Sequence, residues 1–96
     1  MPQSSTREEI ARALTTLPGW VHDQNALTKS WKLTDFRAAM AFMVRIGFEA
    51  EVRNHHPELF NVYGTVRVSL TTHDAGRTVT ALDLELARAI EAIAPA

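Results

Sequence analysis

Between Phe36 and Ala50 apolar side chains recur at helical spacing, and a few residues later the run meets His55-His56-Pro57. Proline disfavours the helical conformation of the residue before it, so a helix entering this tripeptide must end there. Within the run, Phe36, Met40, Met43 and Gly47 form one stripe, and Ala39, Phe42, Ile46 and Ala50 form an adjacent one. An apolar arc of that width exceeds what covering one sheet face requires. It fits a helix packed partly on another chain or a deeply buried central helix, and spacing alone does not separate the two. Thr34 is the expected N-cap, with Asp35 favourable in the first turn.

The flanking segments supply strands and two more helices. Ser5 with Glu8 reads as a capping box, after which Ile10, Ala13, Leu14 and Leu17 keep helical spacing until Pro18-Gly19. Trp20–His22 and Leu27–Leu33 are expected strands around a polar turn at Asp23-Gln24-Asn25. Period-two alternation sets Leu27, Lys29, Trp31 and Leu33 on one face, and Lys29 breaks its apolar character. Phe60–Tyr63 and Val66–Thr72 are the next strands, turned at Gly64, with Val66, Val68 and Leu70 facing the core. Asp74-Ala75-Gly76-Arg77-Thr78 reads as a loop. Thr80 with Asp83 forms a second cap, and Leu82, Leu86, Ala89, Ile90 and Ile93 mark the last helix. The order α-β-β-α-β-β-α predicts a two-layer α+β fold, with three helices on one face of a four-stranded antiparallel sheet.

Composition narrows what such a fold could do. A chain of 96 residues is expected to form one domain spanning 1–96. There is no cysteine, so disulfides, thiolate metal sites and thiol nucleophiles are excluded. Ten Lys and Arg against eleven Asp and Glu leave a net charge of −1, which argues against direct nucleic-acid binding. No apolar run reaches the ~20 residues of a membrane span, and the first residues lack a secretory apolar stretch. A small cytoplasmic protein without membrane partners is expected.

Histidine carries the chemical interest. Three of the four histidines, His55, His56 and His73, fall at one helix end and one strand end. A helix C-terminus favours a cation, and Glu51 lies four residues before His55, within reach if the helix persists. Two adjacent imidazolium ions disfavour each other, so a pair in different protonation states suits a site needing both an acid and a base. Taken alone, the ordinary reading is that His55 caps the helix and His56 is a spacer before proline. Metal binding is not expected. Adjacent side chains diverge on helix or strand, and no HExxH-type spacing is present. Trp20, Phe60 and Tyr63 read first as core or half-buried sheet residues, although one of them could wall a flat aromatic ligand. No glycine-rich phosphate cradle or nucleophile elbow occurs.

Taken together, Phe36-Arg-Ala-Ala-Met-Ala-Phe42-Met, Glu51-x-x-x-His55-His56-Pro57-Glu58-x-Phe60-Asn61-Val62-Tyr63 and Leu70-x-Thr72-His73 closely resemble the pterin-4a-carbinolamine dehydratases. The likeness runs from Gly19-Trp20 to Asp83-Leu84-Glu85-Leu86-Ala87 and favours a chemical role for the histidines. It implies the same α+β fold and the dehydration of 4a-hydroxytetrahydropterin to quinonoid dihydropterin, recycling the cofactor of aromatic amino acid hydroxylases. It implies catalysis by His55, His56 and His73 without metal or organic cofactor. Glu51, Pro57, Trp20, Thr72 and Asp83 are implied as substrate-binding residues. A dimer or tetramer is expected. Relatives on this fold also act as a dimerisation cofactor of a homeodomain transcription factor or as Rubisco assembly factors, which is the alternative role. This chain departs at Leu59, where many members have tryptophan, at Asn54, where some have aspartate, and in a loop after His73 one residue longer than usual.

Overall fold

In the computed structural model, which describes residues 3–95, the chain runs α1 (Arg7–Leu14), β1 (Val21–Asp23), β2 (Ala26–Lys32), α2 (Phe36–Arg53), β3 (Glu58–Val62), β4 (Thr65–Leu70) and α3 (Ala81–Ile93). The four strands form one antiparallel open sheet in the order β1-β2-β4-β3, with the helices layered on one face. The predicted α+β architecture is the observed one.

Two tight connections set the register. Val21 pairs with Thr28 and Asp23 with Ala26, leaving Gln24 and Asn25 as a two-residue turn. Both have positive φ, 48° and 66°, the conformation that matches the twist of a hairpin. Val62 pairs with Thr65 across Tyr63 and Gly64. A side chain at Gly64 would bring Cβ to 2.8 Å from the Leu33 carbonyl oxygen, so the close approach of that backbone requires glycine.

The core lies between the sheet and the helices. Leu27, Val66, Val68 and Leu70 point into it and are fully buried, and Ala39, Phe42, Ile46 and Ala50 cover them from α2. Each large apolar side chain buried in this way contributes about 1.5–3 kcal/mol. Lys29 keeps its place in the inward row because its ammonium is neutralised there. It pairs with Glu91 of α3, donates to the Pro18 carbonyl at 2.7 Å and lies 4.9 Å from the centroid of the Trp31 ring. The exception in the alternation is thus a satisfied cation, with its stem packed along the core edge.

The predicted stripes of α2 divide unequally. The Ala39-Phe42-Ile46-Ala50 stripe is buried, whereas Phe36, Met40, Val44, Phe48 and Val52, four residues apart, face outward. Phe48 is 68% exposed and Val52 80%. The helix is therefore not centrally buried within this chain.

Two caps fall one residue later than expected. Thr6 and Glu9, not Ser5 and Glu8, form the first capping box, because the Ser5 amide is bound to the Val79 carbonyl at 2.8 Å and holds that segment extended. Asp35, not Thr34, caps α2 and accepts from the Ala38 amide at 2.8 Å. α1 also stops at Leu14 rather than continuing to Pro18. Among the described residues no helix is long and apolar enough to cross a membrane.

Candidate active site

The end of α2 is built by one residue. Asn54 takes the left-handed conformation (φ 50°, ψ 43°), which asparagine tolerates better than most side chains. The His55 amide then reaches back to the Ala50 carbonyl at 3.1 Å, the six-to-one bond of a Schellman termination. This reversal takes His55 off the helical path. The expected contact of His55 with Glu51 is consequently absent, and Glu51 instead meets His56 (Nε2···Oε1 3.1 Å). Both members of that pair are exposed, and such surface pairs contribute about 0–1 kcal/mol.

His55 turns inward to Asp83. Its Nε2 lies 2.6 Å from Asp83 Oδ1, with the His55 side chain 10% exposed and Asp83 fully buried. The second carboxylate oxygen, Oδ2, accepts from the Thr72 hydroxyl at 2.8 Å and from the Thr80 amide at 2.9 Å. Because the Thr72 hydroxyl donates to Asp83, the 2.7 Å contact between the two threonines requires Thr80 to donate to Thr72. Three donors thus offset the burial of one carboxylate, and among the described residues no buried side-chain polar atom lacks a partner. A carboxylate can only accept, so the contact requires a proton on His55 Nε2, and in the neutral ring Nδ1 is then the acceptor.

Asp83 therefore serves two elements at once. Oδ2 closes the capping box of α3, while Oδ1 fixes the imidazole. The sequence identified the cap, and the loop after His73 leaves Asp83 within reach of His55. That loop folds as a 3-10 turn at His73–Ala75, followed by two left-handed residues, Gly76 (φ 76°) and Arg77 (φ 62°). Its ends are tied by the Thr72 amide to Thr78 (2.9 Å) and the Arg77 amide to the Thr72 carbonyl (3.0 Å). His73 opens this turn, just beyond β4, and is exposed.

These elements enclose an open cleft of about 390 Å3. Its walls are Asn54, His55 and His56 from the end of α2, Thr71, Thr72, His73 and Asp74 beyond β4, and Leu82 at the start of α3. The fold thus brings together His55, His56, His73 and Thr72, with Asp83 behind His55 and Glu51 beside His56. Pro57 breaks the chain after His56 and does not line the cleft. Trp20 is elsewhere. It is buried in the core, donates its indole N–H to Glu91 at 2.8 Å and meets Trp31 edge-on with ring centroids 5.7 Å apart. Phe60 and Tyr63 are exposed rather than packed in the core. Thr71, Asp74, Leu82 and Asn54 were not singled out in the sequence as cleft residues. Of these only Asn54 carried a usable signal, an asparagine at a helix end.

A cleft with three imidazoles, one of them oriented by a buried carboxylate, is equipped to move protons at a small ligand. Comparison with known proteins points the same way. The family described as "Pterin 4 alpha carbinolamine dehydratase" matches residues 3–93. Two relatives are each named "Putative pterin-4-alpha-carbinolamine dehydratase". The Opitutus terrae protein is 53% identical, covering 97% of this chain and 96% of its own length. The Bradyrhizobium sp. protein is 48% identical, covering 100% and 97%. A crystal structure of a transcriptional coactivator/pterin dehydratase from Brucella melitensis superposes with a TM-score of 0.88 at 42% identity, covering 96% of this chain and 99% of that one. Matched over almost its whole length in sequence and in fold, the chain belongs to the pterin-4-alpha-carbinolamine dehydratase family.

Proposed function

We propose that this chain catalyses the dehydration of 4a-hydroxytetrahydropterin to quinonoid dihydropterin and water by histidine acid–base catalysis. The observation that carries this reading is the 2.6 Å contact between His55 and buried Asp83 at a cleft that His56 and His73 also line. The reaction breaks the C4a–O bond and forms a C4a=N5 double bond, while the N5 proton is removed and the leaving hydroxyl is protonated to water. His55, with Nε2–H held by Asp83, offers Nδ1 as the base for N5–H, and the adjacent carboxylate stabilises the imidazolium that forms. His56 and His73 are the candidate acids for the hydroxyl. Glu51 orients His56, and Thr72 acts through Asp83 rather than on the ligand.

In the cell this activity returns the spent cofactor of aromatic amino acid hydroxylases, a cytoplasmic recycling role. It is tested by following the loss of carbinolamine absorbance with and without a chelator. Acceleration that a chelator does not change supports the metal-free histidine mechanism. A chelator-sensitive rate refutes that part, and no acceleration moves the reading to a binding role.

Self-association accompanies the activity. The outward row Phe36, Met40, Val44, Phe48 and Val52 is too extended an apolar strip to leave in water, and a second copy presents the same strip for a two-fold contact. The same face supports the alternative role, docking a transcription factor, since the Brucella relative is described as a transcriptional coactivator as well as a dehydratase.

A further inference from the structure

Residues 3–6 run as a strap across the base of the loop that begins at His73, and the proton-transfer scheme makes no use of them. The Ser5 amide donates to the Val79 carbonyl at 2.8 Å, and Ser4 pairs with Thr80 in an antiparallel bridge. Ser4 Oγ also lies 2.5 Å from Thr78 Oγ1. The Thr78 hydroxyl donates to the Ala75 carbonyl at 3.0 Å, so Ser4 is the donor of the first contact. A relay of two hydroxyls therefore runs from the strap into the His73–Ala75 turn. We infer that Ser4 and Thr78 are positioning residues of the site, and that the strap holds His73 at the cleft. The inference rests on the dehydratase reading and adds the segment that sets one of its three imidazoles.

The strap is tied at both of its sides. On one side Thr6 caps α1, accepting from the Glu9 amide at 3.1 Å while its own amide donates to the Glu9 carboxylate at 2.7 Å. α1 is fixed in turn by the buried Ile10 and Ala13. On the other side the strap grips Thr78, Val79 and Thr80. This stretch closes the loop, since the Thr78 carbonyl accepts from the Thr72 amide at 2.9 Å. It also holds Asp83, through the Thr80 amide at 2.9 Å. A cap at Ser5 would have lengthened α1 by a residue, and that amide is committed to Val79 instead.

His73 needs such a support. It is exposed, so its place at the cleft follows from the backbone of its turn. Within the turn the Ala75 amide bonds to the Thr72 carbonyl at 3.2 Å and the Gly76 amide to the His73 carbonyl at 3.1 Å. Those local bonds fix the shape of the turn. The contacts from Ser4 and Ser5 fix its position against the helix layer. Arg77, just beyond, is held in the left-handed region, which is unfavourable for a residue with a side chain and adds to the need for restraint. Leu82, which walls the histidine cleft, also borders a hollow of about 300 Å3 shared with Gln3, Thr80 and Ala81. The wall is backed there by open space rather than packed side chains, so the strap supplies a restraint that packing does not.

The test combines carbinolamine kinetics with amide hydrogen exchange in Ser4→Ala, Thr78→Val and the double variant. In each single variant kcat is expected to fall roughly five- to tenfold with KM nearly unchanged, because a misplaced imidazole weakens proton transfer more than binding. The Gly76 and Arg77 amides, which bond to the His73 and Thr72 carbonyls, should exchange faster by a similar factor, while those of α2 do not. The double variant falls no further than Thr78→Val, since both changes break one relay. Ser4→Thr keeps the hydroxyl and should keep the rate. A strap that served the fold alone would lower the melting temperature and leave kcat of the folded protein as it was, and that result overturns the positioning role. So does unchanged exchange in the turn, or a loss in Ser4→Thr as large as in Ser4→Ala. If wild type shows no turnover, the dehydratase reading itself fails and the catalytic role of the strap with it, while the exchange rates still decide whether the strap holds the turn.

Discussion

Replacing Asp83 by asparagine is the sharpest test of the proton-transfer scheme, because the geometry dictates how the new amide must sit. The Thr80 backbone N–H points at Oδ2 from 2.9 Å and cannot reverse its polarity. The amide oxygen must therefore keep that position, which turns the NH2 group towards His55 Nε2. To accept from it, His55 must move its own proton from Nε2 to Nδ1, and the base nitrogen is lost. All three contacts survive in altered form, so the fold loses only the charge-assisted part of them, about 1–2 kcal/mol, or roughly 5–15 °C in Tm for a domain near 100 residues. Turnover falls far more, by about 10²–10⁴-fold, as expected when a general base is held in the wrong tautomer. The assay pairs carbinolamine turnover with thermal melting and with nitrogen NMR of the ring, which reports the tautomer directly. Turnover within threefold of wild type, or an unchanged ring tautomer, refutes the reasoning. Asp83→Ala differs in kind. It leaves the Thr72 hydroxyl, the Thr80 amide and His55 without their partner and destabilises the domain by about 3–5 kcal/mol.

Alanine at His55 or His73 is expected to reduce turnover by about 10²–10⁴-fold, and alanine at His56 to reduce it less; near-wild-type rates in both of the first two variants would refute the assignment. Melting of the exposed His73→Ala variant shifts little, whereas His55→Ala strips Asp83 of one donor and melts earlier. Phe48→Glu places a charge in the outward strip of α2, so sedimentation should show dissociation, and an unchanged assembly would move the interface elsewhere. Glu9 is held below its ordinary value first by the Thr6 backbone amide, so its contribution is complete above that value and is lost as pH falls through the lower folded value. Glu9→Gln accordingly removes that contribution at neutral pH, where it is complete, and flattens the fall in Tm on the acid side below Glu9's ordinary value.

The sheet and helices were legible because their signals are local. Alternation at Val66, Val68 and Leu70 and the stripe Ala39, Phe42, Ile46, Ala50 each bury as read. What escaped depended on partners remote in sequence. Ser5 with Glu8 and Thr6 with Glu9 fit the capping pattern equally well, and the choice was made by Val79 binding the Ser5 amide. Lys29 broke the strand pattern until Glu91, 62 residues away, accounted for it. Trp20 was read by resemblance as a pocket residue, yet its indole reaches that same glutamate in the core.

The histidine partners reversed for a related reason. Glu51 four residues before His55 is a sound pairing on a continuing helix, and it fails because Asn54 ends the helix one residue too soon. The turn exchanges a solvent-exposed carboxylate for a buried one. A proton-transfer site gains from that exchange, since an exposed glutamate is hydrated and mobile whereas Asp83 is fixed by Thr72 and Thr80. One of the fixing groups, Thr80, is the N-cap of α3, so a residue that starts that helix also holds the carboxylate that meets His55. Weakening the cap and misplacing the base are then one perturbation. The Thr80 hydroxyl donates to Thr72 and accepts from the Leu82 amide, so it reaches the imidazole only through its neighbours. Under the proposed mechanism the boundary between folding and catalysis runs through a single carboxylate, one oxygen on each side.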